Sequence, residues 1–368
     1  MIKKIKIQTN KTFVNKIEEI LQNIFQGIVS YSQNSQNQLT NFTASKNNPL
    51  KNPLNIAVAV SGGSDSLALF FLLLDFCNNR NIKIHALSVD HQMRTNSSNE
   101  LKELANLLKK YHSLDNFCHH ILTLPKNKIP QKNIEAKLRE LRYELLSKYC
   151  HKNDINLLFL GHQLNDIAEN FLIRLLRGSS IDGLSSLTEI STFDDLKIIR
   201  PLLNFTKKDF QDYLISKKIT WFEDETNLDE KFLRNKIRNF LTSFEDSDLL
   251  QKRIKNTADY FLEMRNFFAE KVNNEMANTT YKIDDSSYVV NRKKLALLNR
   301  EIAQKIIAKI IIDLCNKNYM PRRVKLENFV EYLISDKLLK PRSFCYCLTK
   351  KINNDEVLIY LNKFPKRN

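Results

Sequence analysis

The sequence contains no CxxC pair, and its six cysteines are scattered over 368 residues. Zinc sites, cysteine-ligated iron–sulfur clusters and disulfide frameworks need cysteines at short, repeated spacings. We therefore expect none of these three features and interpret the thiols as core residues. Cys345 and Cys347 lie two residues apart in a strand-like segment, so both are expected to point to one face of a strand.

The sequence also lacks an apolar run of the length that is needed to cross a bilayer. Residues 1–10 are charged and have no apolar core of a signal peptide. We therefore expect a cytoplasmic protein without a membrane partner. A hydrophobic content of 42% is typical of a globular protein, and the length is sufficient for two or three domains.

The chain is strongly basic, with a net charge of +16 from 57 Lys and Arg against 41 Asp and Glu. The excess is +5 over residues 1–54, +3 over residues 55–240 and +8 over residues 241–368. A basic excess outside the central region indicates that the flanks contact a polyanion. A composition rich in Lys, Asn and Ile explains the same excess without any partner, so the charge alone decides little.

Residues 56–66, IAVAVSGGSDS, form the most informative stretch. The five apolar residues 56–60 fit a strand that is buried on both faces. The apolar run over residues 67–76 predicts a helix, and Gly62 and Gly63 permit a tight turn just before it. The N–H groups of such a turn lie at the positive end of a helix dipole, which is an anion-binding position.

The turn itself combines three hydroxyl groups, two glycines and one carboxylate, in the order Ser61, Gly62, Gly63, Ser64, Asp65, Ser66. An ordinary turn does not need Asp65, because a carboxylate beside a phosphate is unfavourable unless a divalent cation lies between them. The turn lacks the lysine of a GxxxxGK[ST] loop and the spacing of a GxGxxG loop. It resembles the SGGxDS loop of the N-type ATP pyrophosphatases, and this implies that ATP is split into AMP and pyrophosphate while a substrate is adenylated.

Polar side chains also follow the second predicted strand, residues 82–89. Asp90, His91 and Arg94 come just after it, where ligands bind in open α/β sheets. His91 equally fits a surface histidine, and Asp90 equally fits a cap of the next helix. Residues 117–124 are predicted to form the third strand.

A long helix is predicted at residues 132–151. It places Glu135, Arg139, Arg142 and Tyr143 on one face. The two arginines fit salt-bridge partners on a solvated surface, which is the usual position of charges on helices. On a stripe that also carries a tyrosine, they are better suited to ATP phosphates or RNA.

A fourth buried strand is predicted at residues 155–160, and it leads into His162, Asp166 and Glu169. Asp166 and Glu169 lie three residues apart on the first turns of the next helix and share a face. Acidic residues early in a helix often only interact with its dipole. Two carboxylates beside a histidine at a strand end also form a pocket for a cation, and ammonium or Mg²⁺ would fit it.

Alternating strands and helices, up to a short strand at residues 220–222, predict an α/β fold with a doubly wound parallel sheet. Arg234 and Arg238 follow one helical turn apart and would reach the same anion. Long amphipathic helices come next, with hairpins predicted at residues 281–290 and 344–361. This last part is a smaller, basic α+β unit suited to recognition.

We therefore divide the chain into three parts. Residues 1–54 form an N-terminal extension with one amphipathic helix, predicted at residues 12–29, and a polar linker. Residues 55–241 form the ATP pyrophosphatase catalytic domain. Residues 242–368 form the helix-rich domain that would recognise RNA.

Six segments of the central domain, taken in order, resemble the tRNA(Ile)-lysidine synthetase family. They are AVSGGSDSLAL, SVDHQMR, EAKLRELRYE, GHQLNDIAENFLIRLLRGS, RPLL and DETNLDEKFLRNKIRNFL. The resemblance implies an adenine nucleotide alpha hydrolase-like fold and a ligase that forms a C–N bond. Such a ligase uses ATP to join L-lysine to C2 of the wobble cytidine of a tRNA(Ile) with a CAU anticodon, through an adenylated cytidine. Over residues 242–368 the likeness is weaker.

The same resemblance assigns the nucleotide site. Residues Ser61 to Ser66 would bind ATP, and Asp65 would also hold Mg²⁺. Arg142 and His162 would line the reaction centre together with Asp65 and Asp166, and these four are the predicted catalytic residues.

The resemblance further assigns the second substrate and the RNA. Asp166 and Glu169 would bind the substrate lysine, and Arg234 would contact the nucleotide or tRNA. Arg139 and Arg238 are predicted from their helix positions to contact tRNA or phosphate. The lysine amine must lose a proton before it attacks, and either Asp166 or the neighbouring histidine can accept it.

Two positions depart from the family pattern. Gln163 stands where many members have a second histidine, and Asn170 stands where they have a threonine. We expect both to change fine geometry and to leave the reaction intact.

Other functions fit parts of the sequence. A tRNA thiolase of the same superfamily commonly uses a CxxC pair or a catalytic cysteine near the site, which this chain lacks. A non-catalytic RNA-binding protein would not need the intact loop, and an amidating ligase for a free nucleotide would not need the basic C-terminal part. The oligomeric state, a homodimer included, stays open.

Overall fold

The computed structural model describes residues 2–34, 53–78, 80–92, 97–111, 116–125, 134–223, 233–316, 321–335 and 341–362. Arg94 lies outside these residues, as does the side chain of Glu135, so the expectations for both stay predictions. The chain divides into two compact units, Met1–Asp259 (unit 1) and Tyr260–Asn368 (unit 2).

Unit 1 begins with a long helix and then alternates strands with helices, as predicted. Its elements are α1 (Ile2–Asn34), β1 (Leu54–Ala59), α2 (Ser64–Cys77), β2 (Ile82–Asp90), α3 (Ser97–Lys109), β3 (Phe117–Thr123), α4 (Ile134–Lys152), β4 (Leu157–Phe159), α5 (Leu164–Leu176), α6 (Ile181–Leu184), β5 (Ile190–Phe193), β6 (Leu196–Ile199), α7 (Lys207–Ser216), α8 (Leu233–Thr242) and the first part of α9 (Ser247–Thr279).

The six described strands of unit 1 form one sheet in the order β3-β2-β1-β4-β6-β5. All are parallel except β5, which pairs antiparallel with β6 at the edge. The chain moves outward from β1 to β2 and β3 and then returns past β1 to β4. This switch point leaves a crevice at the carboxyl ends of β1 and β4. The doubly wound parallel sheet is therefore confirmed.

The central position of β1 explains its continuous apolar sequence. Ile56 and Val58 face a core that is built largely from α2, α3 and α7, whereas Ala57 faces a second core that contains α4. Since both faces are covered, β1 needs no polar alternation.

α1 is part of the first core, a packing that the sequence pattern alone did not indicate. Its residues Phe13, Ile17 and Leu21 are buried in the same cluster as α2. The ring of Phe25 is 1% exposed and stacks on Phe76 and Phe159, with centroid distances of 5.3 and 5.8 Å. The amphipathic helix therefore covers apolar surface of the sheet domain.

In unit 1, one element was not predicted and one local expectation was wrong. The sequence did not indicate the β5–β6 hairpin, whose two-residue turn, Asp194-Asp195, has φ values of +47° and +64°. The short strand predicted at residues 220–222 does not form, since these described residues join no sheet. Instead, the N–H group of Phe222 donates a hydrogen bond to the carbonyl oxygen of Gly62 at 3.0 Å. This segment therefore lies over the turn after β1.

Unit 2 has a five-stranded antiparallel sheet in the order β7-β8-β11-β10-β9, packed against helices. After the last part of α9, its elements are β7 (Thr280–Asp284), β8 (Ser287–Asn291), α10 (Arg292–Ala296), α11 (Arg300–Cys315), α12 (Arg323–Ile334), β9 (Ser343–Phe344), β10 (Cys347–Lys351) and β11 (Glu356–Leu361). Both predicted hairpins are present, and the smaller α+β unit is confirmed. No helix in the described parts of the chain is both long and apolar enough to span a membrane.

The strand predicted around Cys345 and Cys347 is interrupted. Cys345 and Tyr346 form a two-residue turn between β9 and β10, with φ values of +49° and +70°. The expectation that both thiols point to one face of a strand was therefore wrong. All six cysteines are free, and Cys77, Cys150 and Cys347 are buried.

The packing of α1 leads to a stability prediction. Phe25→Ala removes a ring that fills the space between Phe76 and Phe159, and the other buried residues of α1 hold its backbone in place. We expect the free energy of unfolding to fall by about 3–5 kcal/mol, as for other buried aromatic residues. Urea unfolding followed by circular dichroism measures this change.

Gln22→Ala is the matched control, because Gln22 is exposed on the same helix. It should change the free energy of unfolding by less than about 0.5 kcal/mol. Equal unfolding midpoints for the two variants would show that α1 does not contribute to the core.

Candidate active site

The predicted phosphate loop lies at the switch point of the sheet, between the end of β1 and the start of α2. Gly63 is the N-cap residue of α2 and has no side chain to occupy the first N–H groups of that helix. These groups can therefore bind an anion. Within the loop, the Ser66 hydroxyl oxygen accepts the N–H of Ser61 at 3.1 Å, and this hydroxyl donates to the carbonyl of Gly63 at 3.1 Å.

Close contacts favour glycine at two positions, one within the loop and one beside it. Gly62 has φ +90°, and a Cβ at this position would lie 2.7 Å from Cδ2 of Phe222. Gly161, two residues after the end of β4, lies against the start of α2. A Cβ there would lie 3.0 Å from the carbonyl oxygen of Asp65 and 3.2 Å from Cα of Ser66. The turn after β4 is therefore held directly against the phosphate loop.

This contact places Gln163 beside Asp65. The Gln163 amide Nε2 donates to Asp65 Oδ2 at 3.1 Å, and the Ser64 hydroxyl donates to Asp65 Oδ1 at 2.8 Å. The backbone N–H of Gln163 also donates to Asp166 Oδ2 at 3.0 Å. Gln163, a position that departs from the family pattern, thus connects the two predicted catalytic carboxylates.

Burial raises the pKa of Asp65 to about 6, and the nearby charge of Asp166 adds to this effect. The hydrogen bonds from Ser64 and Gln163 and the charge of Lys207 oppose it. Two carboxylates that repel each other favour a cation between or beside them. Oxygen donors are the ligands that Mg²⁺ prefers, and Gln163 Oε1 is a further oxygen, buried without a hydrogen-bond partner among the described residues. The donor set therefore fits Mg²⁺.

His162 lies at the end of β4 among several arginines. The Arg200 Nε–H donates to His162 Nδ1 at 3.2 Å, so Nδ1 carries a lone pair and Nε2 carries the ring proton. Burial lowers the pKa of His162 well below its usual value, and the charges of four arginines lower it further: Arg139, Arg200, Arg142 and Arg234. His162 is therefore a neutral hydrogen-bond donor through Nε2 at neutral pH.

Arg139 and Arg142 reach this site from α4. Their guanidinium carbons lie 5.5 and 5.7 Å from the ring centroid of Tyr143. Arg142 Nε is buried without a hydrogen-bond partner among the described residues, and burial lowers the pKa of Arg142. A desolvated cation with an unused donor is suited to an anionic ligand.

Glu169 on α5 is 2% exposed and binds both arginines of α8. Arg234 Nε donates to one carboxylate oxygen at 2.8 Å, and Arg238 Nε donates to the other at 2.8 Å. Arg234 also lies 3.9 Å from Asp166. Arg234 and Arg238 therefore do reach the same anion, and this anion is the carboxylate of Glu169. The substrate contacts of these three residues stay predictions.

Asp90 and His91, at the end of β2, make fewer described contacts with the site. Asp90 Oδ1 accepts the N–H of Gln92 at 2.9 Å within a local turn. His91 is half-buried, and its pKa is lowered by burial and by the charge of Arg142. His91 therefore lies near the arginines, while the described contact of Asp90 is local.

Arg200 is a site residue for which the sequence predicted no role, although it is the first residue of the RPLL segment. Arg200 directly follows β6, so it too lies at the carboxyl end of a parallel strand. The strand-end rule would have identified it if the β5–β6 hairpin had been recognised. Gln163 was treated only as a departure from a pattern, whereas it contacts Asp65 directly.

The strand, the SGGSDS turn, the helix and the switch point together define a PP-loop protein. The family model described as the PP-loop domain matches residues 31–245. The chain is 32% identical over 343 residues to the tRNA(Ile)-lysidine synthase of Rickettsia felis, covering 92% of this chain and 74% of that protein. It is 33% identical over 298 residues to the tRNA(Ile)-lysidine synthase of Orientia tsutsugamushi, covering 77% of this chain and 64% of that protein. The chain belongs to the tRNA(Ile)-lysidine synthase family.

One solved structure with a weaker likeness is a U34-tRNA thiolase, NcsA from Methanococcus maripaludis. It is 18% identical, with a TM-score of 0.47, and the match covers 58% of this chain and 74% of that chain.

The Arg200–His162 contact leads to a prediction that needs no substrate. At pH 7, ¹⁵N spectra of histidine-labelled protein should show the His162 ring as the neutral Nε2–H form, because Arg200 occupies Nδ1. In Arg200→Gln the pKa of His162 should rise, since one of four cationic neighbours is lost.

The variant His162→Gln assigns the resonance. Lys197→Gln, a charge change on the same strand β6, should leave the tautomer unchanged. A wild-type His162 that carries its proton on Nδ1, or that titrates near the usual histidine pKa, would contradict the arrangement described above.

The raised pKa of Asp65 leads to a second prediction. Asp65 has a pKa of 3.8 in the unfolded chain and of about 6 in the folded protein. Its protonated form therefore stabilises the folded state, fully below pH 3.8, and this contribution is lost as pH rises through about 6. We therefore expect Asp65→Asn to increase the free energy of unfolding at pH 7.5 and to flatten its decline between about pH 4 and 6. Denaturant unfolding at several pH values measures both effects.

Mg²⁺ should stabilise the wild type at pH 7.5 and should have little effect on Asp65→Asn. Glu245→Gln is the control, because Glu245 is an exposed carboxylate. If Asp65→Asn and Glu245→Gln have the same pH and Mg²⁺ dependence, Asp65 is not the buried carboxylate that binds the ion.

Proposed function

We propose that the protein uses ATP to join L-lysine to C2 of the wobble cytidine of a tRNA(Ile) with a CAU anticodon, forming lysidine and releasing AMP and pyrophosphate. The observation that supports this most is the convergence at one switch point of the SGGSDS loop, the Asp65–Gln163–Asp166 connection and His162. Family membership supports ATP-dependent tRNA modification, and the site chemistry supports the finer steps.

ATP would bind with its phosphates at the start of α2. The N–H groups of the loop, Arg139 and Arg142 supply donors and positive charge for the phosphates. Asp65 and Gln163 Oε1 would hold Mg²⁺, which when bound neutralises phosphate charge and the developing charge on pyrophosphate. These charges stabilise the transition state in which cytidine O2 attacks the α-phosphate.

His162 would act in this step as a hydrogen-bond donor. Its Nε2–H can donate to a phosphoryl oxygen, and Arg200 holds the ring in the tautomer that this requires. A histidine with a strongly lowered pKa is a poor proton acceptor at neutral pH. Of the two candidate bases, we therefore favour Asp166.

The lysine amine would bind at the carboxylates of α5. Asp166 is partly exposed and is the direct partner for the ammonium group, whose proton it can then accept. Glu169 is already paired with Arg234 and Arg238. It can receive the ammonium when one of these arginines turns to a phosphate of the nucleotide or the tRNA, which connects the two predicted roles.

The position of the thiols disfavours a sulfur-transfer reaction. Unit 1 has three cysteines, and all three lie in its described parts. Cys77 is the last residue of α2, Cys118 lies in the first half of β3, and Cys150 lies near the end of α4. All three are away from the carboxyl ends of the strands, where the loop and His162 lie.

The direct test is incubation of the protein with a tRNA(Ile) transcript that has a CAU anticodon, ATP, Mg²⁺ and labelled lysine. We expect ATP-dependent label in the RNA and one pyrophosphate for each lysine. Asp166→Asn should lower incorporation by about a hundredfold or more, because the amine loses its proton acceptor. Glu140→Gln, an exposed carboxylate on α4, should retain normal incorporation.

The same assay with Asp65→Asn should lose pyrophosphate release, because the first step fails. Label that enters RNA without ATP, or a reaction that accepts ammonia or sulfur instead of lysine, would refute the proposal. Equal loss of pyrophosphate release in Asp65→Asn and Asp166→Asn would refute the division of roles between the two residues.

A further inference from the structure

A second group of chemistry-bearing side chains lies on the sheet of unit 1, outside the active site. His85 in β2 pairs with Cys118 in β3, and His120 lies two residues further along β3. Because side chains alternate along a strand, all three point to the same face. That face is covered by α4, whose Tyr149 contacts the group. His119 points to the opposite face, where it contacts the hydroxyl of Ser88.

The three side chains converge closely. One donor atom from each of His85, Cys118 and His120 lies within 4.8 Å of the other two. The Cys118 Sγ lies 3.5 Å from His85 Nδ1. In a tetrahedral zinc site, Zn–S and Zn–N bonds place the ligand atoms about 3.3–3.6 Å apart. Small side-chain movements would therefore bring all three atoms to coordination distance.

The His85 ring has an unused nitrogen in this group. His85 is 8% exposed, and its Nε2 is buried without a hydrogen-bond partner in the described part of the chain. The Tyr149 hydroxyl lies 3.0 Å from Nδ1, the nitrogen that also faces Cys118 Sγ, so a cation bound between Nδ1 and Sγ would take the place of this contact.

We propose that His85, Cys118 and His120 form a binding site for a borderline-soft divalent cation of the zinc class. Two imidazoles and one thiolate are donors that Zn²⁺ accepts, and the hard cation Mg²⁺ does not favour them. Cys118 and His120 are partly exposed, so water can enter and supply the fourth ligand. The sequence showed no site here, because the ligands come from two strands and have no CxxC spacing.

The protonation states agree with this chemistry. Burial lowers the pKa of His85 to about 4, with smaller effects from His120 and Lys83, and burial also lowers the pKa of His120. Both imidazoles are therefore neutral and able to coordinate. Burial raises the pKa of the Cys118 thiol, while Lys83 opposes this, so the metal must displace a proton from sulfur.

The site is separate from the proposed reaction centre. His85 lies five residues before Asp90, which is about 16 Å along the strand at the usual rise per residue. The bound ion would connect edge strand β3 to β2 beneath α4. Its role would therefore be structural, and it does not depend on the proposed function.

The test is titration of the metal-free full-length protein with Co²⁺ and Zn²⁺. Co²⁺ should give a thiolate-to-cobalt charge-transfer band that saturates at one equivalent and is displaced by Zn²⁺. Zn²⁺ should also raise the thermal unfolding midpoint. Cys118→Ser should abolish the band, and His120→Gln should weaken Co²⁺ binding by at least about tenfold.

Two variants serve as matched controls. His119→Gln changes the neighbouring histidine on the opposite face, and Cys345→Ser changes a partly exposed thiol in unit 2. Both should retain the band and its affinity, with folding of every variant checked by circular dichroism. The proposal is wrong if the wild type shows no saturable band, or if the band survives in Cys118→Ser.

Discussion

The close approach of two backbone segments determines the site. Gly161 follows β4 and lies so near the backbone of Asp65 that a Cβ there would be 3.0 Å from the carbonyl oxygen of Asp65, which would force the backbone to shift. This fixes the turn after β4 against the phosphate loop after β1. The Gln163 amide reaches Asp65 from this position, and Asp166 receives the N–H of Gln163. Residues nearly one hundred positions apart therefore act as one site because two parallel strands are neighbours at a switch point.

The arginines of the site form two groups, which differ in whether a carboxylate neutralises them. Arg139, Arg142 and Arg200 lie around a neutral histidine, and none of them forms an ion pair with a described carboxylate. Arg234 and Arg238 are instead paired with Glu169. The first group would offer its positive charge directly to a phosphate, whereas the charge of the second group is already largely balanced by the buried carboxylate of Glu169. Because a buried charge without a partner is costly, Glu169 can release an arginine only if another cation takes its place.

Much of this architecture was predictable from the sequence because its signals are local. The apolar run before the two glycines predicted a buried strand and an anion-binding turn, and the strand-end rule located His162 and Asp166. The hairpin turns at Asp194-Asp195 and Cys345-Tyr346 were missed, because both have two residues with positive φ and neither contains glycine. Arg200 was missed for the same reason, because it follows β6, the second strand of the hairpin at Asp194-Asp195. The packing of Phe25 on Phe76 and the pairing of His85 with Cys118 join residues that are far apart in the sequence. No local sequence pattern indicates such contacts.

The pairing of Glu169 has a thermodynamic consequence. Two guanidinium groups bind the one buried carboxylate of Glu169. In the proposed reaction, a lysine ammonium group would compete with them, so its access to that carboxylate would depend on where the arginines are. An RNA phosphate that drew Arg234 or Arg238 away would leave Glu169 open to the amine and would increase the affinity of the site for the amine. By reciprocity, the amine would increase the affinity for RNA by the same factor. A free lysine molecule would then be retained mainly when an RNA acceptor is already bound.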